Sequence, residues 1–418
     1  MKTGTRRFPG WRTLVATALL AAAPARAGDV DVALVRMGVG NHVRPGDPTA
    51  LLVRATSNLT APVQARVEWA VRNADGDTAL YSRDVALAPG APVEQWIYGV
   101  APITSASAVS SLELVSTVRV LQLADGRVTR LLGERRIDGN AGEEPAVPVE
   151  STEALIGVVG DGRAGLSALA TPTPTLGYCA SMNELTKVAR GITAGALPDR
   201  WQGLASFESI IWTNAPVQGL GAEQARALLD WTQRGGNLVI VLPESGDPWG
   251  IGGRRDRTPL APALPEHAER RDAVPVESLL PALCRSGVLR NEKARTAIWT
   301  FPEEPGNGFT PLIRAPGRVD SRTGNLVTGS GLDGRVLAVR RPFGFGFVTV
   351  VGIDVDGLDR RLQDGAVDEG GRGVGRIHAQ QERSERLGAP CTLVLRHTRL
   401  RHRRVEAIPD VLHQVQSG

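Results

Sequence analysis

The feature that most constrains this chain is a change of apolar period part-way along it. From Gly28 to about Asp138, apolar residues recur at every second position in short segments separated by turn signals. Such alternation sets one face of a strand on a core and the other in water. In VQARVEWAV, Val63, Ala65, Val67, Trp69 and Val71 share one face. The turns are explicit: Pro45-Gly46-Asp47, Asn73-Ala74-Asp75-Gly76-Asp77, Pro89-Gly90 and Ala124-Asp125-Gly126-Arg127. They divide strand-like runs at 29–37, 50–55, 63–71, 79–87, 93–98, 112–123 and 128–132. Seven or so short strands with no helical period predict an immunoglobulin-like β-sandwich over 28–138.

Residues 139–150 (GNAGEEPAVPVE) lose all apolar period and have the composition of a linker. Beyond them, continuous apolar runs alternate with helical patterns. Ala154–Val159, Phe207–Trp212, Asn237–Leu242, Arg335–Val339 and Gly346–Ile353 read as buried strands. Ser181–Ala194 reads as a helix with a capping box at Ser181 and Glu184. Leu220–Arg234 reads as a second, with Ala225, Leu228, Leu229 and Trp231 on one face and Gly235-Gly236 as its stop. The expected product over 151–357 is a parallel-rich α/β sheet with helices on its faces.

The run SIIWTNAPVQGLGAEQARALLDWTQRGGNLVIVLPES, with GFGFVTVVGID later, resembles the class I glutamine amidotransferase-like (flavodoxin-like) domain of exported bacterial proteins that also carry a β-sandwich. The resemblance implies a flavodoxin-like parallel sheet. It also implies a domain often without amidotransferase activity, in some members tethered by a C-terminal membrane helix. An active member needs a thiol in a G-x-C-x-G elbow and a histidine to activate it. Cys179, in Gly177-Tyr178-Cys179-Ala180-Ser181, lacks the second glycine; Cys284 lies in Leu283-Cys284-Arg285; and the nearby histidine is His267, in a Pro- and Arg-rich insert. No catalytic residue is assigned.

Three cysteines in 418 residues exclude a disulfide framework and a C-x-x-C metal knuckle. The net charge of +4 comes from arginines scattered singly among acids, with lysine only at 2, 187 and 293, and aromatics make up 4% of the chain. That combination gives neither a basic stripe nor a stacking platform, so no nucleic-acid partner is expected. At the N-terminus, Lys2, Arg6, Arg7 and Arg12 precede the apolar run Thr13–Ala23 and the small-residue site Ala25-Arg26-Ala27. This is the pattern of a signal peptide over 1–27, with the mature chain starting at Gly28. The apolar run is shorter than the roughly 20 residues of a spanning helix.

Candidate sites cluster where strands end. LIGVVGDGRAGLSAL spaces Gly160, Gly162 and Gly165 as G-x-G-x-x-G. A dinucleotide cradle needs a helix starting at once and an acid about 20 residues on. Pro172 and Pro174 cut such a helix short, and Asp161 would repel a pyrophosphate. The glycines are therefore read as a sharp turn at the carboxyl end of the first strand, and no cofactor is expected. Open α/β sheets bind ligands at that end. Asp161, Gly162, Thr213, Asn214, Glu244 and Ser245 would meet there as a small polar binding site, solvated loop ends being the alternative. Ser245 as a hydrolase nucleophile lacks a placeable histidine and the glycines of an elbow. Asp354, Asp356 and Asp359 in IDVDGLD suggest calcium, but the twelve-residue loop with its closing Glu is missing, so a strand-end turn is preferred and no metal is assigned. Asn58-Leu59-Thr60 is a formal glycosylation site, set aside for a chain of bacterial character.

Over 358–418 the pattern dissolves: His378, His397, His402 and His413 and many arginines gather, and the apolar period stops. The segment reads as disordered, or as the product of a frame slip near Leu362 that removes a native C-terminus and any membrane association it carried. Together these readings predict an exported, periplasmic or cell-envelope protein. Its second domain would serve as a non-catalytic binding or assembly module for an envelope protein partner, the alternative being an envelope hydrolase or amidase acting through the strand tips.

Overall fold

The computed structural model describes residues 28–72, 75–101, 116–137, 145–162, 186–251, 258–279, 295–315, 318–319, 326–327, 332, 334–354 and 356–358. The signal segment, Gly165, Cys179, Cys284, Asp359 and the tail lie outside them.

The first unit contains β1 (Val30–Met37), β2 (His42–Val43), β3 (Pro48–Ser57), β4 (Val63–Arg72), β5 (Thr78–Leu87), β6 (Pro92–Val100), β7 (Ser116–Ala124) and β8 (Arg127–Ile137). Two antiparallel sheets, β1-β3-β6 and β5-β4-β7-β8, share one core. The alternation in β4 sets Ala65, Val67, Trp69 and Val71 inward, all buried, against Leu51, Ile97, Val118 and Val120. Trp69 fills the centre and tilts against Tyr81, ring centroids 5.6 Å apart. Gly99 makes this possible: a Cβ there would lie 2.4 Å from the Tyr81 ring and 2.7 Å from the indole. On the outward face, directly opposed residues pair their charges, Arg66 with Asp84 at 2.7 Å and Arg119 with Glu134 at 3.1 Å.

The second unit follows with β9 (Val147–Pro148), β10 (Ala154–Val159), β11 (Thr186–Ile192), β12 (Ser209–Trp212), α1 (Ala222–Gln233), β13 (Asn237–Val241), β14 (Glu269–Pro275), β15 (Arg295–Thr300), β16 (Thr310–Arg314), β17 (Arg318–Val319), β18 (Leu326–Val327), β19 (Val336–Phe343) and β20 (Gly346–Val351). Seven of these form one sheet in the order β11-β10-β12-β13-β20-β19-β16. β11, β10, β12, β13 and β20 run parallel; β19 and β16 run antiparallel. The central strands are buried on both faces, which is why they read as continuous apolar runs. One face packs on α1, through Ala225, Leu228 and Trp231. The helix starts with the Gly221 N–H donating to Gln224 Oε1 at 2.9 Å and stops at Gly235, whose φ is +121°.

The expected fold class is overturned. Strands dominate both units, and every sheet of three or more strands is antiparallel or mixed, so the second unit is not a flavodoxin-like parallel α/β domain. Two local causes are visible. β19 and β20 are joined by the two-residue turn Gly344-Phe345, which reverses the chain where a parallel neighbour would need a crossover helix. The stretch expected to be helical up to Ala194 contains β11, which Val188, Ile192 and the left-handed Gly191 (φ +67°) suit better than a helix. Among the described residues the sheet's second face is covered by the antiparallel pair β14–β15 and the short 3-10 turn after β14, through Val274, Val276, Leu279 and Ile298.

The two units are docked. β9 pairs in parallel with β2, and Val149 is fully buried with Val39 in the core of the second unit. The turn Trp201–Leu204 lies on β3; a Cβ on Gly203 would meet Pro198 at 2.7 Å and Ala50 at 3.0 Å. Beside it, Asp199 accepts from Arg83 at 2.9 Å through Nη1 and lies 2.6 Å from Nη2. It also accepts from the Tyr98 hydroxyl, while its own N–H donates to that oxygen at 3.1 Å. Burial pushes the Asp199 carboxyl up, but hydrogen bonds from Arg83 and Tyr98 outweigh it and hold the group below the usual carboxylate range. A second contact joins Arg44 to the Glu153 carbonyl at 2.6 Å, with Lys187 on the Glu153 carboxylate at 2.9 Å.

Candidate functional site

The carboxyl ends of β10, β12, β13 and β20 lie side by side, and each is followed by polar residues. After β10 the chain turns at Gly160, with φ +114°. A Cβ at Gly160 would lie 2.5 Å from Thr213 Oγ1 and 2.7 Å from Asn214 Oδ1. One at Gly162 would lie 2.1 Å from an Asp356 carboxylate oxygen. These glycines thus let two neighbouring strand ends close over the turn. A phosphate could not take the place that Asp356 holds beside Gly162, for reasons of charge as well as space.

The contacts are specific. The Asp161 N–H donates to Asn214 Oδ1 at 3.0 Å, and the Thr213 hydroxyl to the Val159 carbonyl at 3.1 Å. Asp354 accepts from the Gly357 N–H at 3.0 Å and, at 3.5 Å, from the Glu244 N–H. Glu244 in turn accepts from the Ala297 N–H at 3.4 Å. A Cβ at Gly357 would be 3.1 Å from Asp354 Oδ2 and 3.2 Å from Glu244 Oε2, so these two carboxylates converge on that glycine. Between the strand ends lies a small pocket, lined by Thr213, Asn214, Val241, Pro243, Asp354 and Asp356. Its polar lining consists of a hydroxyl, an amide and two carboxylates, with Glu244 behind them, an environment suited to a cation or a strong donor.

Of the residues singled out in the sequence, Asp161, Gly162 and Asn214 come together at this edge, and Glu244 joins them through Asp354. Ser245 is exposed and does not line the pocket. Neither described histidine lines it either: His42 sits in β2 at the junction of the units, and the His267 N–H is on the Pro305 carbonyl. Asp354 and Asp356, weighed only as calcium ligands or a strand-end turn, prove to line the pocket. Their signal was the acid pair directly after a buried apolar strand. Among the described residues no group of three His, Cys, Asp or Glu side chains is arranged to hold a metal ion.

Neither a protein-family model nor a curated protein sequence matches the chain. Parts of it match solved structures. The alkylpurine DNA glycosylase AlkC of Pseudomonas fluorescens matches at 15% identity over 27% of this chain and 30% of that one, with a TM-score of 0.18. The CARDB domain of the PF1109 protein of Pyrococcus furiosus matches at 12% identity over 29% and 89%, TM-score 0.18. A calcium-binding mutant of β-glucuronidase 2 of Bacteroides uniformis matches at 11% identity over 52% and 24%, TM-score 0.19. The chain thus spans less than a third of the glycosylase. At such TM-scores these matches carry neither fold nor function over to this chain.

Proposed function

We propose that this is an exported cell-envelope protein whose second unit is a binding module, taking a basic group of a protein partner at the carboxyl edge of its mixed sheet. The carrying observation is the strand-tip pocket lined by Asp354, Asp356, Thr213 and Asn214. It is small, with room for about one water molecule, and so is no enclosed small-molecule or cofactor cavity. A lysine or arginine head would sit at its mouth and meet the Asp354 and Asp356 carboxylates there. The signal-like N-terminus supports export, and the packed junction at Asp199 supports a module that presents its edge rigidly. The test has two parts. Fractionation of the full chain, with and without residues 1–27, should place it outside the cytoplasm only when they are present. A photo-crosslinking residue at position 214 should then capture a protein in the envelope, whereas one at exposed Leu80 should not. Retention in the cytoplasm, or equal capture from both positions, would refute the reading.

A further inference from the structure

The other end of the same sheet carries a feature that the strand-tip pocket does not use. The two-residue turn between β19 and β20 places Phe345 at its apex, where it is 86% exposed. Turn positions favour Gly, Asn, Asp and Ser, because a ring at the apex of a convex turn has nothing of its own chain to pack on. This apex is also held in place. Its N–H donates to the Gln233 carbonyl at 2.8 Å, and Gly344, at φ +65°, lies so close to Gln233 that a Cβ would be 2.4 Å from that same oxygen. The ring is therefore presented from a turn fastened to the end of α1.

Around it stand arginines stacked on aromatic rings. Arg341 lies 4.8 Å from the Phe343 centroid and 5.3 Å from that of Phe309, and it donates to the carbonyls of Asn307 and Pro262. Arg340 lies 5.4 Å from Phe347, and exposed Arg234, next to Gln233, lies 4.2 Å from Trp201. The Arg341 guanidinium is committed to the Asn307 and Pro262 carbonyls, with its Nε buried, whereas exposed Arg234 takes part in no ion pair among the described residues. An occupant of this surface must accept a protruding ring and offer anionic groups beside it. A convex tip of this kind enters a fluid surface more readily than it seats a peptide, which needs a groove.

We infer that the Phe345 hairpin is a peripheral membrane contact, its ring entering the interface of an anionic bilayer while exposed Arg234 faces the headgroups. Phe345 precedes β20 and the pocket follows it, so one six-residue strand, about 20 Å long, separates them. Docking by the hairpin leaves the pocket facing away from the lipid. A single ring with an arginine beside it gives weak, reversible association, as one membrane signal does.

The experiment uses the full chain with vesicles of phosphatidylglycerol and phosphatidylethanolamine, and with phosphatidylcholine alone as the neutral control. Sedimentation should occur with the anionic vesicles and fall at least about tenfold for Phe345→Ser, the effect of withdrawing one aromatic ring. Phe345→Trp should gain quenching by bromine-labelled acyl chains beyond that of the wild type, and Arg234→Gln should weaken binding to the anionic vesicles. Thermal melts of the two Phe345 variants should match the wild type. Absence of sedimentation, binding indifferent to Phe345→Ser, or an unquenched tryptophan at 345 would overturn the inference, as would competition of the hairpin by an acidic peptide and not by vesicles. None of these results depends on the partner proposed for the pocket, so either reading can fail alone.

Discussion

Replacing Asp199 with asparagine keeps the size of the side chain and removes the charge at the junction of the two units. The carboxylate receives two contacts from Arg83, at 2.9 and 2.6 Å, and the Tyr98 hydroxyl. Hydrogen bonds to charged groups contribute about 1.5–3 kcal/mol, neutral ones about half as much. The Asp199 and Arg83 side chains are 17% and 23% exposed, so the charged contacts are partly screened. The expected loss is about 2 kcal/mol, measured by urea unfolding followed through tryptophan emission. The pH dependence fixes the cause. Because the carboxyl is held below its usual range, its contribution is fully present above the unfolded-state value and is lost as pH falls through the folded one. The gap between wild type and Asp199→Asn should therefore be constant near neutrality and close under acid. A loss under about 0.5 kcal/mol, or a gap that does not change with pH, would refute this account of the junction.

Other outcomes follow from single distances. Gly99→Ala should cost about 1–3 kcal/mol by overpacking the Trp69–Tyr81 pair, read as a fall in melting temperature. Gly162→Ala should displace the Asp356 carboxylate and lower capture from position 214 while changing the melting temperature little, since Gly162 lies at the edge of the sheet. Burial holds the His42 imidazole below its ordinary value, so the stability it contributes is present above that value and lost as pH falls through the folded one; His42→Gln should flatten the stability profile in that window.

Much of the strand content was legible because burial follows sequence period. The odd positions of β4 point inward as the alternation requires, and β10, β12 and β13 occupy the continuous apolar runs. Helix α1 announced itself through its apolar stripe and its Gly235-Gly236 stop. The direction of strands was not legible. Apolar runs at 335–339 and 346–353 fit a parallel or an antiparallel sheet equally well, and the reversal rests on the geometry of Gly344 and Phe345, a pair unlike the Asn-Gly and Asp-Gly signals of hairpins. At β11 a capping-box pattern outweighed β-branched residues that pack beside β10. The pocket was half legible. Asp161, Asn214 and Glu244 follow apolar runs and so mark strand ends. Asp354 and Asp356 join them because β20 lies next to β13, a neighbour relation that local pattern does not contain.

The most direct test of the binding edge is the yield of the adduct formed from position 214, measured side by side in the wild type, Asp356→Asn and Asp354→Asn. If a basic group of the partner meets these carboxylates, each substitution should lower the yield several-fold, and the captured partner segment should contain the lysine or arginine that meets them. An undiminished yield in both variants, or a captured segment without a basic residue, would contradict the account.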